Sequence, residues 1–428
     1  MKKNLMKKKS RSIKIIRSLN NFITLSLNHC LLKKMKIKTY NNSEIEIDLP
    51  DNTPGNLIAL PALIDPHVHF RTPGAEHKEN WITGAQAAIA GGVTTVFDMP
   101  NNWPSAVSHQ HLELKKKIID KQLNDAGIPL NYFLYLGATA DNLNEIEKIG
   151  RLEDYLLTEG GGKIVGVKLF MDASTGDLLV DKLEDQEKIF KTCAELNLLL
   201  AVHAVTSAER AIELAKKYHT KLYICHVSTK KEIDLIRQTK TEGFEIYAEV
   251  TPHHLFLTEN DHEHLGTLGK MNPPLHTTED QKALWEAIFD GTIDTVGTDH
   301  APHTLTEKSV PEAEAPFGVP GIETSLPLLL DAYNQGLPSV AFLSAEVLTK
   351  EEAEGGKISL EKIVELTSLN AKKIFGVENN DWVVVDLDFR FQIENFRLKT
   401  KCGWSPFSGW ELQGKPVVTI LNNKTYFI

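Results

Sequence analysis

His67 and His69 stand one residue apart in IDPHVHFR, the segment that ends the apolar run LIALPALI. Side chains alternate between the faces of an extended strand, so the two imidazoles point the same way and can grip one metal ion. Arg71, two residues on, is expected to continue that face and to offer a fixed cation suited to a carboxylate. Four more residues of ligand type follow at the ends of, or within, later apolar runs: Lys168, His203, His226 and Asp299. Four histidines, a lysine and an aspartate are the types a binuclear metal site needs. An ammonium would be repelled by two divalent cations, so Lys168 reads either as a surface or ion-paired lysine or as a carbamate. The carbamate, formed with carbon dioxide, is an anionic ligand with two oxygens that can bridge two metals.

The elements that must position these groups are legible from Leu57 onward. Short runs rich in Val and Ile alternate with helical stretches, the pattern of βα units around a parallel sheet. The eight runs are LIALPALIDPHVHF, VTTVFDM, NYFLYLG, IVGVKLFM, LLLAVHA, KLYICHV, FEIYAEV and IDTVGTD, with helices expected near 107–126, 181–196, 207–217 and 229–242. Eight such units predict a (β/α)8 TIM-like barrel over 58–375, whose chemistry sits at the carboxyl ends of its strands. The polar residues above, together with Asn101 after the second run, fall at those ends. A Pro- and Glu-rich loop, DHAPHTLTEKSVPEAEAPFGVPG, follows the eighth run and is of the kind that covers a barrel mouth. Helices near 324–333, 339–348 and 359–375 come next. Residues 376–428, with 35–57, read as a small β appendage.

The chain of 428 residues is long enough for such a barrel and its appendage, and 42% hydrophobic with 24% charged residues is the balance of a globular protein. No stretch approaches the length of a membrane span. Residues 1–34 carry ten Lys or Arg and no acid, and read as a basic leader, a disordered or untranslated segment before Met35. The remainder holds 37 basic and 57 acidic residues, a net charge of −20, which disfavours nucleic acid or an anionic membrane as partner. Cys30, Cys193, Cys225 and Cys402 are scattered without a CxxC pair. That pattern suits a reducing, cytoplasmic setting and no disulfide framework.

Several long motifs in order resemble the dihydroorotases of the amidohydrolase superfamily, closest to the dihydroorotase domain of the animal multifunctional pyrimidine enzyme. They are DPHVHFRTPG at 65–74, GGVTTVFDMPNN at 91–102, GVKLFM at 166–171, ICHVST at 224–229, EVTPHHLFLT at 249–258, DHAPHTLTEK at 299–308 and PFGVPGIETSLPLLL at 316–330. The resemblance implies His67 and His69 on one metal, His203 and His226 on a second, and carbamylated Lys168 between them, zinc being the usual ion. It implies Asp299 as a metal ligand and as the general base and acid. Arg71, Asn101 and His303 match positions that hold the substrate's carboxylate and ring, with Asn272, Phe317 and Gly318 as lesser contacts. The reaction implied is reversible hydrolysis of dihydroorotate to N-carbamoyl-L-aspartate in pyrimidine biosynthesis. A water activated by the metals would attack the ring amide carbonyl, and Asp299 would pass its proton to the departing nitrogen.

The chain departs from many relatives at VHAVTSAE, where Val205 stands in place of an acid. One branch of the family bridges its metals with an aspartate, which makes Asp172 the reserve bridge. Residues 173–177, ASTGD, resemble a loop that closes over substrate, where Ser174 and Thr175 would donate hydrogen bonds. His253, His254 and His300 are expected to be packed structural histidines. Allantoinase or dihydropyrimidinase is the nearest alternative activity, since it shares barrel and metals. An inactive scaffold partner of aspartate carbamoyltransferase is the alternative outside catalysis. Homodimers are common among such relatives, so association with a second copy or with that transferase is expected from the resemblance alone.

Overall fold

The computed structural model describes residues 32–50, 53, 55–151, 163–337 and 357–428. The expected helix at 339–348 and most of the basic leader lie outside the described residues. The chain opens with β1 (Leu32–Thr39), β2 (Glu44–Pro50) and β3 (Leu57–Pro61). Then come β4 (Leu63–Val68), β5 (Val93–Asp98), β6 (Asn131–Gly137), β7 (Lys163–Phe170), β8 (Leu200–His203), β9 (Leu222–Ile224), β10 (Ile246–Val250) and β11 (Thr295–Val296). β12 (Trp382–Gln392), β13 (Glu411–Leu421) and β14 (Lys424–Phe427) end it. β4 to β11 form one sheet in chain order, every pair parallel. The helices between them cover the outside, so β4 and β5 are buried at every position, as strands covered on both faces must be. Caps set where these helices begin: Asn80 accepts from the amides of Ile82 and Thr83, and Thr229 and Glu232 form a capping box.

One expectation needs correction. The first apolar run is not one strand but two in different sheets, β3 beside β12 and β4 in the barrel. Ala62 marks the break. Its N–H donates to the Asp381 carbonyl at 2.9 Å, and its own carbonyl accepts from Ser368 and Asn379. An uninterrupted apolar run carries no mark of such a crossing. The six-stranded sheet, in the order β14-β13-β12-β3-β1-β2, joins the first and last strands of the described residues, and β1 begins at Leu32, three residues before Met35.

The last barrel strand is short, and the barrel closes beyond it. His300 bridges Val68 in parallel register, and the His69 amide donates to the His300 carbonyl at 2.8 Å. Asp65, buried at the start of the same seam, accepts from the amides of His67 (3.2 Å) and Thr298 (3.0 Å) and from the Thr298 hydroxyl (2.5 Å). At the opposite end of the barrel Phe375 plugs the interior, its ring centroid 4.8 Å from that of Phe97 and 5.0 Å from that of Tyr223. Asp65→Ala orphans three buried donors across the seam, and is expected to lower the unfolding free energy by roughly 3 kcal/mol or more. Urea denaturation of the variant beside the parent measures it.

Candidate active site

The carboxyl ends of the strands bring together the residues singled out above. His67 lies within β4, and His69 follows its end with the two ring centroids 5.4 Å apart. Asp299 Oδ1 lies 3.0 Å from His69 Nε2 and 3.4 Å from His67 Nε2, so these three offer converging ligand atoms. His203 ends β8 and His226 follows β9, with His203 Nδ1 2.8 Å from His226 Nε2. The His226 ring in turn lies 5.4 Å from that of His67. Lys168, in β7, is wholly buried, and its Nζ meets Cys225 Sγ at 2.9 Å. Among the described residues no carboxylate lies within ion-pair distance of that amine.

These features fit a pair of divalent cations. A buried ammonium without an anionic partner is costly, and conversion of Lys168 to a carbamate between two cations removes that cost. Three of the four imidazoles are kept neutral, the form in which they bind metal. For His67 burial works the same way, but the carboxylates of Glu249 and Asp299 outweigh it and raise its pKa well above the usual range, so a cation there must displace a proton. Burial pulls the pKa of His69 down to about 4 and that of His203 down to about 3, with Lys168 adding to the second. Burial and the neighbouring His203 also push His226 well below its usual range. For Asp299, burial opposes ionisation, but His67 and His69 outweigh it and hold its pKa well below the usual carboxylate range. Asp299 is therefore a carboxylate at neutral pH.

One side of the same pocket is lined by Arg71, Asn101, Ser174, Thr175, Asn272, Phe317 and Gly318. Arg71 does not continue the strand face as expected. β4 ends at Val68, and Arg71 sits in the left-handed region at φ 58°, as do His226 (41°) and Asp299 (44°). Its side chain is turned into the pocket by this bend, where Nε donates to the Pro302 carbonyl at 3.1 Å. His303 lies behind it, its Nε2 3.1 Å from Arg71 Nη2. Asn101 donates to the Thr175 carbonyl and Asn272 to the Ala173 carbonyl, each at 3.0 Å, which draws residues 173–175 over the pocket. Asn101 Oδ1 is buried without a partner. Asp172 does not suit the reserve role. Its two oxygens accept from the amides and hydroxyls of Thr206 and Ser207, at 2.8 to 3.0 Å, and it thereby anchors the turn after β8 in which Val205 lies.

Glu249 has no counterpart in the expectations. Wholly buried in β10, it meets His67 Nδ1 at 2.8 Å and accepts from the His226 amide (3.0 Å) and the Tyr223 hydroxyl (2.9 Å). A charged residue inside an otherwise apolar strand, in the motif EVTPHH, was the signal available. Lys308 is the second such case. Its Nζ donates to the carbonyls of Lys270, Pro316 and Gly318 at 2.9 to 3.0 Å, fixing the segment that presents Phe317 and Gly318. His300 and His254 are buried and hydrogen-bonded within the fold: His300 Nδ1 accepts from the Gly321 amide, and His254 bonds to Thr251 and the Pro273 carbonyl.

Comparison with known proteins agrees with this geometry. The Amidohydrolase family profile matches residues 58–380. A dihydroorotase of Bacillus cytotoxicus is 34% identical over 392 residues, covering 86% of this chain and 87% of that protein. The multifunctional protein CAD of Squalus acanthias is 35% identical over 376 residues, which are 87% of this chain and 15% of that much longer protein. Among solved structures, the L-hydantoinase (dihydropyrimidinase) of Arthrobacter aurescens superposes with a TM-score of 0.73 over 92% of this chain and 94% of its own. Its sequence is 23% identical, so that likeness speaks to the fold alone. Among the described residues no helix is long and apolar enough to cross a membrane. The chain belongs to the amidohydrolase family and is built as a metal-dependent cyclic amidohydrolase.

Proposed function

We propose that the protein is a cytoplasmic dihydroorotase, interconverting dihydroorotate and N-carbamoyl-L-aspartate. The observation that carries this reading is Arg71. The guanidinium is buried in the pocket, 8% exposed, and among the described residues has no carboxylate within ion-pair distance. Burial lowers its pKa only to about 10, so it stays charged at neutral pH. A buried, uncompensated cation calls for an anionic ligand, and a bidentate carboxylate matches it best. Dihydroorotate carries such a carboxylate, whereas the neutral rings opened by hydantoinases and dihydropyrimidinases do not.

In this reading His67, His69 and Asp299 would hold one divalent cation, His203 and His226 would hold another, and Lys168, as a carbamate, would supply an anionic ligand to them. Zinc suits this set of imidazole and carboxylate ligands. Such cations supply an acidified water and polarise the carbonyl under attack. The chain's own groups do the rest. Arg71 and Asn101 fix the ring, with Asn101 Oδ1 free to accept from a ring N–H. Asp299, ionised and facing the pocket, takes the proton released on attack and delivers it to the amide nitrogen as the ring opens. Residues 173–175 exclude bulk water above the reacting carbon.

Two outcomes are expected. Arg71→Met should lower kcat/KM for dihydroorotate about a hundredfold or more, the scale of a lost buried charge pair, while leaving hydrolysis of neutral dihydrouracil unimproved or slightly faster. Steady-state assays on both substrates check it, and a parent enzyme that prefers dihydrouracil would transfer the assignment to the neutral-ring hydrolases. Glu249→Gln should weaken metal retention roughly ten- to a hundredfold by loosening His67. Competition with a chromophoric chelator reads this without any turnover.

A further inference from the structure

His303 is squeezed between two cations. Its Nδ1 lies 3.1 Å from Lys78 Nζ, and its Nε2 lies 3.1 Å from Arg71 Nη2 and 2.9 Å from the Phe317 carbonyl. Burial, Arg71 and Lys78 keep the ring neutral, with a pKa near 2. A neutral imidazole carries one proton, and which nitrogen holds it follows from the partners. Ammonium and guanidinium groups only donate, and a carbonyl only accepts. With the proton on Nε2, the ring accepts from Lys78 and donates to Phe317, and both bonds are made. With the proton on Nδ1, its N–H faces an ammonium, and the nearest acceptor, Glu307 Oε2, is 4.0 Å away. Only the bond from Arg71 would then remain.

We propose that Lys78 is a positioning residue for anion recognition: by donating to Nδ1 it fixes the His303 proton on Nε2. Two consequences follow inside the pocket. Arg71 Nη2 finds no acceptor on His303 and keeps its donors for the ligand. Nε2–H is committed to the Phe317 carbonyl, which steadies the segment that presents Phe317 to the pocket. Lys78 is itself held from behind, its Nζ 3.0 Å from Glu307 Oε1, and Glu307 closes the capping box of the short helix Leu305–Lys308. Lys78 therefore shapes selectivity for a carboxylate without lining the pocket. The consequence for selectivity rests on the dihydroorotase reading, but the tautomer does not.

Histidine-selective 15N labelling and long-range 1H–15N correlation spectra test it, with His303 assigned by the loss of its signals in His303→Gln. The parent is expected to show His303 protonated on Nε2. In Lys78→Met the signals should move toward the Nδ1-protonated form, KM for dihydroorotate should rise roughly tenfold or more, and kcat should change less. Lys78→Arg should restore both. Glu307→Gln, which loosens Lys78 from outside, should produce a smaller shift in the same direction if Lys78→Met folds poorly by circular dichroism. An Nδ1-protonated parent, or a Lys78→Met protein with unchanged tautomer and KM, overturns the proposal. A parent that shows the Nε2 form but does not open dihydroorotate overturns the functional reading instead.

Discussion

The site depends on one buried carboxylate. Glu249, in β10, ties two other strands to its own through its two oxygens: His67 of β4, and, from β9, Tyr223 and the backbone that carries His226 just beyond it. By occupying His67 Nδ1 it turns the other nitrogen, Nε2, toward Asp299 and the pocket. The space this carboxylate fills also explains Gly297, since a Cβ at that position would collide with it. A residue that does not line the pocket thus fixes the His67 ring and the backbone that carries His226. The barrel interior beneath it is closed by aromatic packing.

The parts legible in the sequence were those that repeat locally. The i, i+2 histidines, the polar residues that end apolar runs and the alternation of runs with helices are all patterns of short range. They suffice for the barrel and bring His67, His69, Lys168, His203, His226 and Asp299 into one pocket. What stayed hidden depends on distant partners or on backbone angles. Glu249 acts on a histidine 182 residues earlier, and Lys308 acts through carbonyls that carry no sequence signature. The left-handed bends at Arg71, His226 and Asp299 place side chains where no strand periodicity would. The division of the first apolar run at Ala62 is hidden for the same reason, because both halves are equally apolar.

Charge is distributed unevenly around the pocket, and that asymmetry gives it a direction. Imidazoles and Asp299 occupy the side toward the strand ends. Arg71, with Lys78 behind it, makes the opposite side positive, and Glu307 offsets only part of that charge. A substrate with one carboxylate and one reactive amide is thereby oriented by electrostatics before it makes close contacts. Trp404, wholly buried, donates its indole N–H to the His303 carbonyl at 2.7 Å. The segment that follows β12 thus reaches back to support the positive side.

The barrel closes through the same short stretches that supply ligand-type residues. His67 and His69 flank the Val68 bridge on one side of the seam, and Asp299 precedes His300 on the other. A cation held by these three residues, as the proposed function requires, would be a staple across the seam, binding the folded barrel and not the open one. Each tenfold excess of metal over its dissociation constant then adds about 1.4 kcal/mol against seam opening. Metal release and breathing of the first and last strands would then be thermodynamically linked. Chelation would therefore act as a mild denaturant of this edge of the barrel, visible as faster amide hydrogen exchange at His69 while the opposite wall stays protected.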